Sequence, residues 1–361
     1  MKTIGNLVWF VLALALLPGC RRGGADILAL DLAELADAEY QTAWTLDQAI
    51  RAVDLFELAP DRPLGYSPMS GYDGRNLLLR LQDTLAMVGP DGRVVSSFSR
   101  KGRGPQEYIS ANPFLDPAGR ILVLDTGRKR ALTYLQDGTF VSVQEDTYAY
   151  DIHLFPDGSR AVMVRPQEQK GANPAFSVLG PDGSVRYAAP AHPEDHTLFS
   201  YHAGHFQAGT AGSCYFRRDD LDTLYRLRPD RMEAVAAFLK PPKPTETPVR
   251  QHADGSVFIG KSVGRFEDRN CFVLADLLFY AFMDREKSGD HYLVYDLQTG
   301  SLLYHGAEPP TLDVNDWEIH LWPNFVHGQD AWCQLGRFDT PKVLPSFSRD
   351  SNEAFVHVRA R

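Results

Sequence analysis

Four histidines, His192, His196, His202 and His205, fall within fourteen positions of a 361-residue chain. Neutral imidazole is a common ligand for zinc or copper, so a metal site, and a hydrolase or lyase built on one, would be sought here first. The four come from one loop and one strand, and neither an HExxH motif nor a matching acid cluster stands near them. Packed or solvated histidines are therefore the expectation, and no cofactor is expected. Carboxylate pairs such as Asp219-Asp220 could equally belong to a solvated rim.

A second chemistry-bearing set is basic. Lys101, Arg103 and Tyr108 belong to the stretch Lys101 to Tyr108, Arg128 and Arg130 to Thr126–Arg130, and Arg217 and Arg218 open an Arg-Arg-Asp-Asp run. These seven are the candidates for a ligand-facing surface, although Tyr108 could instead pack between structural units. Within the same stretch Gly102, Gly104 and Pro105 should set the loop's shape, because glycine reaches φ values other residues avoid and proline fixes a turn. Glu107 is expected to cap main-chain donors.

Cys20 is a site of another kind. Lys2, an apolar run from Leu7 to Leu17 and then Pro18-Gly19-Cys20 read as a signal peptide, too short for a stable membrane span. A small residue before a cysteine, with Leu17 two places further back, resembles the lipobox of bacterial lipoproteins. The resemblance implies cleavage before Cys20, a diacylated thiol and an anchor of several acyl chains, which hold where one would bind only marginally. Arg21 occupies a position at which lipoproteins kept in the inner membrane often have Asp, so the resemblance implies the outer membrane. The expected division is a signal peptide over 1–19, a lipidated cysteine and tether over 20–26, and a folded part over 27–361.

The composition, 44% hydrophobic and 23% charged, supplies enough apolar surface for a core. A net charge of −9 would repel a polyphosphate, so nucleic acid is not an expected partner. Cys214, Cys271 and Cys333 lie far apart inside apolar runs, which points to free buried thiols rather than a disulfide framework. A monomer is expected.

The elements that position these residues are strands. Short runs rich in Val, Leu, Tyr and Phe alternate with Asp-Gly-type turns. One turn recurs at Gly92, Gly138 and Gly183, then with Arg231 in the glycine's place, then at Gly300. A second register places turns at Gly74, Gly119, Gly158, Gly212 and Gly328, with Arg269-Asn270 read as the corresponding turn of the fifth unit and Asp254-Gly255 as its rival. The period matches the ~40 to 50 residues of propeller blades. The expected fold is all-β: a six-bladed β-propeller of four-stranded antiparallel blades. The last unit runs out at Ala354 to Val358, and Asp26 to Asp31 is read as the N-terminal strand that completes it and closes the ring.

GRGPQEY (Gly102 to Tyr108), DTLYRL (Asp222 to Leu227), the lipobox and the six units together resemble the six-bladed β-propeller lipoproteins of gut and environmental bacteria, distantly similar to NHL-repeat propellers. The resemblance covers the whole mature chain and implies its fold; that family has no settled activity to carry over. The expected function is a membrane-anchored binding or scaffolding module that presents one face to a peptide, glycan or protein partner. The alternative is a metal-dependent hydrolase or lyase with its site in the channel near His202 and His205.

Overall fold

The computed structural model describes residues 27–58, 68–145, 149–164, 176–189, 205–217, 222–241, 249–251, 257–259, 265–314, 317–321, 323–335 and 354–361. The described part is nearly all β. Four strands, Met69–Tyr72, Leu77–Leu81, Thr84–Val88 and Val94–Phe98, pair antiparallel in chain order as the first sheet. Asn112–Leu115 to Phe140–Gln144 repeats this as the second sheet, and Ala149–Leu154 to Val185–Ala188 as the third. His205–Ala208 to Met232–Leu239 makes the fourth and Phe266–Leu274 to Leu302–Gly306 the fifth. The last group consists of Phe325–His327, Asp330–Leu335, Ala354–Ala360 and, from the other end of the chain, β2 (Ile50–Glu57). A single parallel pairing, Ala208 with His327, links the fourth and last groups.

The strand that pairs with the chain's last strand differs from the sequence expectation. β1 (Leu28–Asp31), the described part of the Asp26 to Asp31 stretch, lies parallel to the last strand of the fourth sheet, with Leu28 opposite Ala236. The partner of the chain's final strand is β2, whose Ile50 faces Ala360 and whose Glu57 faces Ala354. Length explains the exchange: the final strand has seven residues, which the eight of β2 cover and the four of β1 cannot. Side-chain burial acts in the same direction, because Leu30 and, in the short helix α1 (Leu32–Asp37), Leu32 and Ala36 are buried with Phe238, Phe266 and Val273. Asp31 caps α1 by accepting from the Ala33 N–H at 2.9 Å.

Apolar faces of neighbouring sheets meet in pairs. Leu78 and Met87 of the first sheet pack with Val123 and Leu132 of the second, and Phe176 and Val178 of the third with Cys214 and Phe216 of the fourth. Trp332 and Phe355 of the last group pack with Leu77, Leu79 and Val88 of the first.

All nine turn glycines read from the two registers have positive φ. At Gly92 the requirement is double, since φ is +76° and a Cβ would lie 2.0 Å from the Glu57 carbonyl oxygen at the end of β2. The fifth unit departs from the register. Arg269-Asn270 sits inside the strand Phe266–Leu274, at a bulge, and the chain reverses at Ala275, whose φ is +54°. The run CFVLADLLFYAFM is thus two strands about a turn lacking glycine, which hid it. Cys214, Cys271 and Cys333 are free, with Cys214 and Cys333 buried and Cys271 partly exposed.

Candidate functional site

The first strands of successive sheets surround a cavity of about 890 Å³. Met69, Asn112, Asp151, Gln207, Cys271 and Val326, each from a different first strand, contribute to its wall. Polar side chains tie these strands to one another. Arg80 Nη1 donates to the Ala111 carbonyl at 2.9 Å, and Asn112 Nδ2 to that of Tyr150 at 2.9 Å. Asp151 accepts from the Phe206 N–H at 2.8 Å. Gln207 accepts from the Val273 N–H at 3.0 Å and donates to the Val273 carbonyl. Each amide or carboxylate thus pairs main-chain groups that neighbouring first strands leave open, and fixes the wall before any ligand arrives.

On the wall, Arg217 lies over the Phe238 ring at 4.3 Å and beside Asp268, with Nη2 2.9 Å from Oδ2. Asp268 also accepts from Lys240 at 2.7 Å and from the Tyr280 hydroxyl. Burial works against its charge, yet Arg217 and Lys240 hold its pKa below the ordinary value. For Arg217 burial opposes the charge too, but Cys271, Asp268 and Tyr280 raise its pKa, so the ion pair persists. Elsewhere on the first strands, burial and then the neighbouring His327 push His153 down to about 3, leaving it neutral.

The loop Gly102 to Tyr108 is a main-chain structure gripped from the second sheet. Arg128 donates to the carbonyls of Arg103 at 2.7 Å and Gly104 at 3.1 Å. Arg130, buried against Asp125 at 3.5 Å, donates to the carbonyls of Pro105 at 3.1 Å, Gly104 at 3.3 Å and Glu107. Tyr134 donates to Gln106 at 2.8 Å. Glu107 accepts from the Gly104 N–H at 2.7 Å. Its carboxylate lies so close that a Cβ on Gly102 would meet Oε2 at 2.0 Å. Neither Gly102 nor Gly104 has positive φ, so unusual dihedrals are not what glycine supplies here; a Cβ at Gly102 would displace the Glu107 carboxylate. Tyr108 is buried and its hydroxyl donates to the Asp83 carbonyl at 3.1 Å. Lys101 pairs with Asp83 at 2.8 Å across an exposed surface. The guanidinium groups of Arg128 and Arg130 are therefore directed at main-chain carbonyls, and Arg103 is the arginine of this loop that is exposed.

His192, His196, His202 and Arg218 lie outside the described residues, as does the His205 side chain. Among the described residues no three His, Cys, Asp or Glu side chains are grouped to hold a metal ion. Sequence reading passed over one spacing: Gly255 to Ser262 fits Gly-x4-Gly-Lys-Ser, and Gly260 to Gly264 fits Gly-x-Ser-x-Gly. The first would need a phosphate-cradling loop between its two glycines and the second a strand-to-helix elbow. Val257–Ile259, between those glycines, is instead a strand paired with Val249–Gln251, and the next described element is again a strand. The wall residues Arg80, Asp151, Gln207 and Asp268 also went unread. Asn112 and Asp151 carried a signal, since each stands seven residues before a turn glycine, Gly119 and Gly158.

Successive four-stranded antiparallel sheets whose first strands line one cavity define a β-propeller. No family model matches the chain, and no curated protein does. Among solved structures it is similar to a protein of Bacteroides fragilis NCTC 9343 described as exported, at 15% identity and a TM-score of 0.64, over 93% of this chain and 100% of that one. It is also similar to a member of the DUF4221 family from Bacteroides vulgatus ATCC 8482, at 10% identity and a TM-score of 0.53, over 87% and 99%. Streptogramin B lyase matches at 12% identity and a TM-score of 0.40, over 89% and 100%. At these identities the likeness is one of fold and does not extend to activity.

Proposed function

We propose that this protein is a lipid-anchored binding module of the cell envelope, held in the outer membrane through Cys20, whose propeller presents its cavity face to a peptide, glycan or protein partner. The propeller has six blades in this reading, with β2 completing the last blade and closing the ring. The observation that carries the binding role is the cavity of about 890 Å³, whose wall strands are locked to one another by side-chain hydrogen bonds. A preformed concave wall with few, fixed polar groups is what ligand sites share, because it reduces the ordering cost of binding. The signal-peptide and lipobox residues supply the address.

The test incubates the mature protein with fractionated envelope extract, measures the shift in melting temperature and determines the mass of the ligand recovered. A stabilising fraction whose ligand returns with unchanged mass supports binding. Recovery of a cleaved ligand would move the assignment to the lyase or hydrolase alternative. Cys20→Ala should release the protein from the membrane fraction with its melting temperature intact; retention after a carbonate wash would refute the anchor.

A further inference from the structure

Among the described residues, five charged side chains line the cavity: Arg80, Arg217, Arg269, Asp151 and Asp268. Three cations thus face two carboxylates, in a chain whose formal charge is −9. Both carboxylates are occupied, Asp151 by the N–H groups of Phe206 and Ile152, each at 2.8 Å, and Asp268 by Lys240, Tyr280 and Arg217. Arg269 is paired with Glu267 at 2.9 Å and Asp290 at 3.5 Å. Arg80 has no such partner: Nη1 donates to the Ala111 carbonyl, and among the described residues no carboxylate meets its guanidinium. Arg217 adds a second, independent sign. Its side chain is 7% exposed; Nη2 pairs with Asp268 at 2.9 Å, while Nε makes no hydrogen bond among the described residues. An unsatisfied N–H donor of a buried cation is costly, and an arriving anion offsets that cost.

We propose that the cavity is an anion site that takes an organic acid, with the ligand's carboxylate seated on Arg80, the Arg217 cluster supplying a favourable field, and a flat apolar body resting on the Phe206 and Phe272 side of the wall. The proposal rests on the reading of the cavity as a ligand site. With Nη1 of Arg80 engaged, the Nε–Nη2 edge is the one whose two parallel N–H groups match a carboxylate. Arg80 is the lining cation that no carboxylate meets among the described residues, so a monoanion matches it one to one, whereas a phosphate dianion would leave a buried negative charge uncompensated. Aromatic side chains at the wall favour a ring over an aliphatic chain through offset or edge contacts.

The experiment titrates 4-fluorobenzoate, 4-fluorobenzamide and 4-fluorophenyl phosphate into the detergent-solubilised mature protein and follows fluorine NMR at pH 7.5. The acid should bind at least about tenfold more tightly than the amide, the difference expected of a charged hydrogen-bonded pair. It should also bind more tightly than the phosphate. Arg80→Met should lose about tenfold in affinity for the acid, while Arg93→Met, an exposed control outside the cavity lining, should leave it unchanged. Equal binding of acid and amide, or full binding by a folded Arg80→Met, overturns the carboxylate assignment and leaves the cavity as a binding site. Tighter binding of the phosphate overturns the monoanion argument alone. Failure of all three probes at 10 mM overturns the anion site, whereas the envelope-extract assay decides separately whether the cavity binds anything. Arg217→Met should weaken the acid as well; if that variant does not fold, Arg80→Met and the acid–amide pair decide.

Discussion

Replacing His153 with Phe should make the protein less sensitive to acid. His153 stands in the first strand of the third sheet, its ring meeting Phe155 edge-on with centroids 4.8 Å apart. Burial first, and His327 second, lower its pKa from 6.5 to about 3. In the unfolded chain the imidazole takes up a proton near pH 6.5, and in the folded chain it stays neutral until about pH 3. Between those values the unfolded state binds more protons, so stability is complete above pH 6.5 and is lost as the pH falls, by up to about 1.4 kcal/mol per unit. At pH 5 the loss from this one group reaches about 2 kcal/mol. That figure is insensitive to the folded pKa, because pH 5 already lies well above it. Urea unfolding of the wild type and His153→Phe at pH 7.5 and pH 5.0 measures it. The wild type should lose about 2 kcal/mol more than the variant on acidification. Equal losses would mean that His153 reaches solvent, or gains a partner, when protonated.

Gly92→Ala should lower the melting temperature far more than Gly74→Ala. Both glycines have positive φ, but a Cβ at Gly92 would strike the Glu57 carbonyl while one at Gly74 meets nothing within 4 Å; equal melts would refute the close contact with β2. Arg130→Met should destabilise by about 3 to 5 kcal/mol, since it strips Asp125 of its cation and the Pro105 and Glu107 carbonyls of their donor, while Gly104 keeps Arg128. Arg103→Ala, at an exposed position, should melt with the wild type, and a large drop there would contradict the loop geometry. Glu107→Ala should cost about 1 to 3 kcal/mol by freeing the Gly104 N–H, and Glu107→Gln, which keeps an acceptor oxygen, less; thermal melts of the pair decide whether acceptor or charge matters.

The architecture was legible wherever the backbone demanded a particular residue. Positive φ at Gly74, Gly92 and seven further turn positions leaves a glycine in the sequence at those hairpins, and their regular period reveals the repeat. Where another residue tolerates the left-handed region, as Ala275 does, the turn left no trace and two strands read as one. The partner of the chain's final strand was misplaced because β1 and β2 both precede the first repeat; strand length separates them only once the seven residues of the final strand are known. The cavity wall was the least legible part. Its polar residues act on main-chain groups of the next sheet, and Arg128 and Arg130 do the same for the Gly102 loop, so arginines that could have met a ligand in sequence terms are occupied by carbonyls. Sequence spacing shows the residue type but not what stands opposite.

The first described strands pair with partners far along the chain and so are among the last able to fold. Leu28 waits for Ala236, Gln41 for His305 and Ile50 for Ala360. The first three sheets, by contrast, are built from strands adjacent in sequence and can form as they emerge. β2 therefore has no partner strand until Ala354–Ala360 exists, so this part of the chain stays unpaired through most of synthesis. It also makes completion of the chain a checkpoint. A product truncated before Ala354 leaves β2 without the strand it pairs with, exposing an apolar edge that quality-control proteases can recognise.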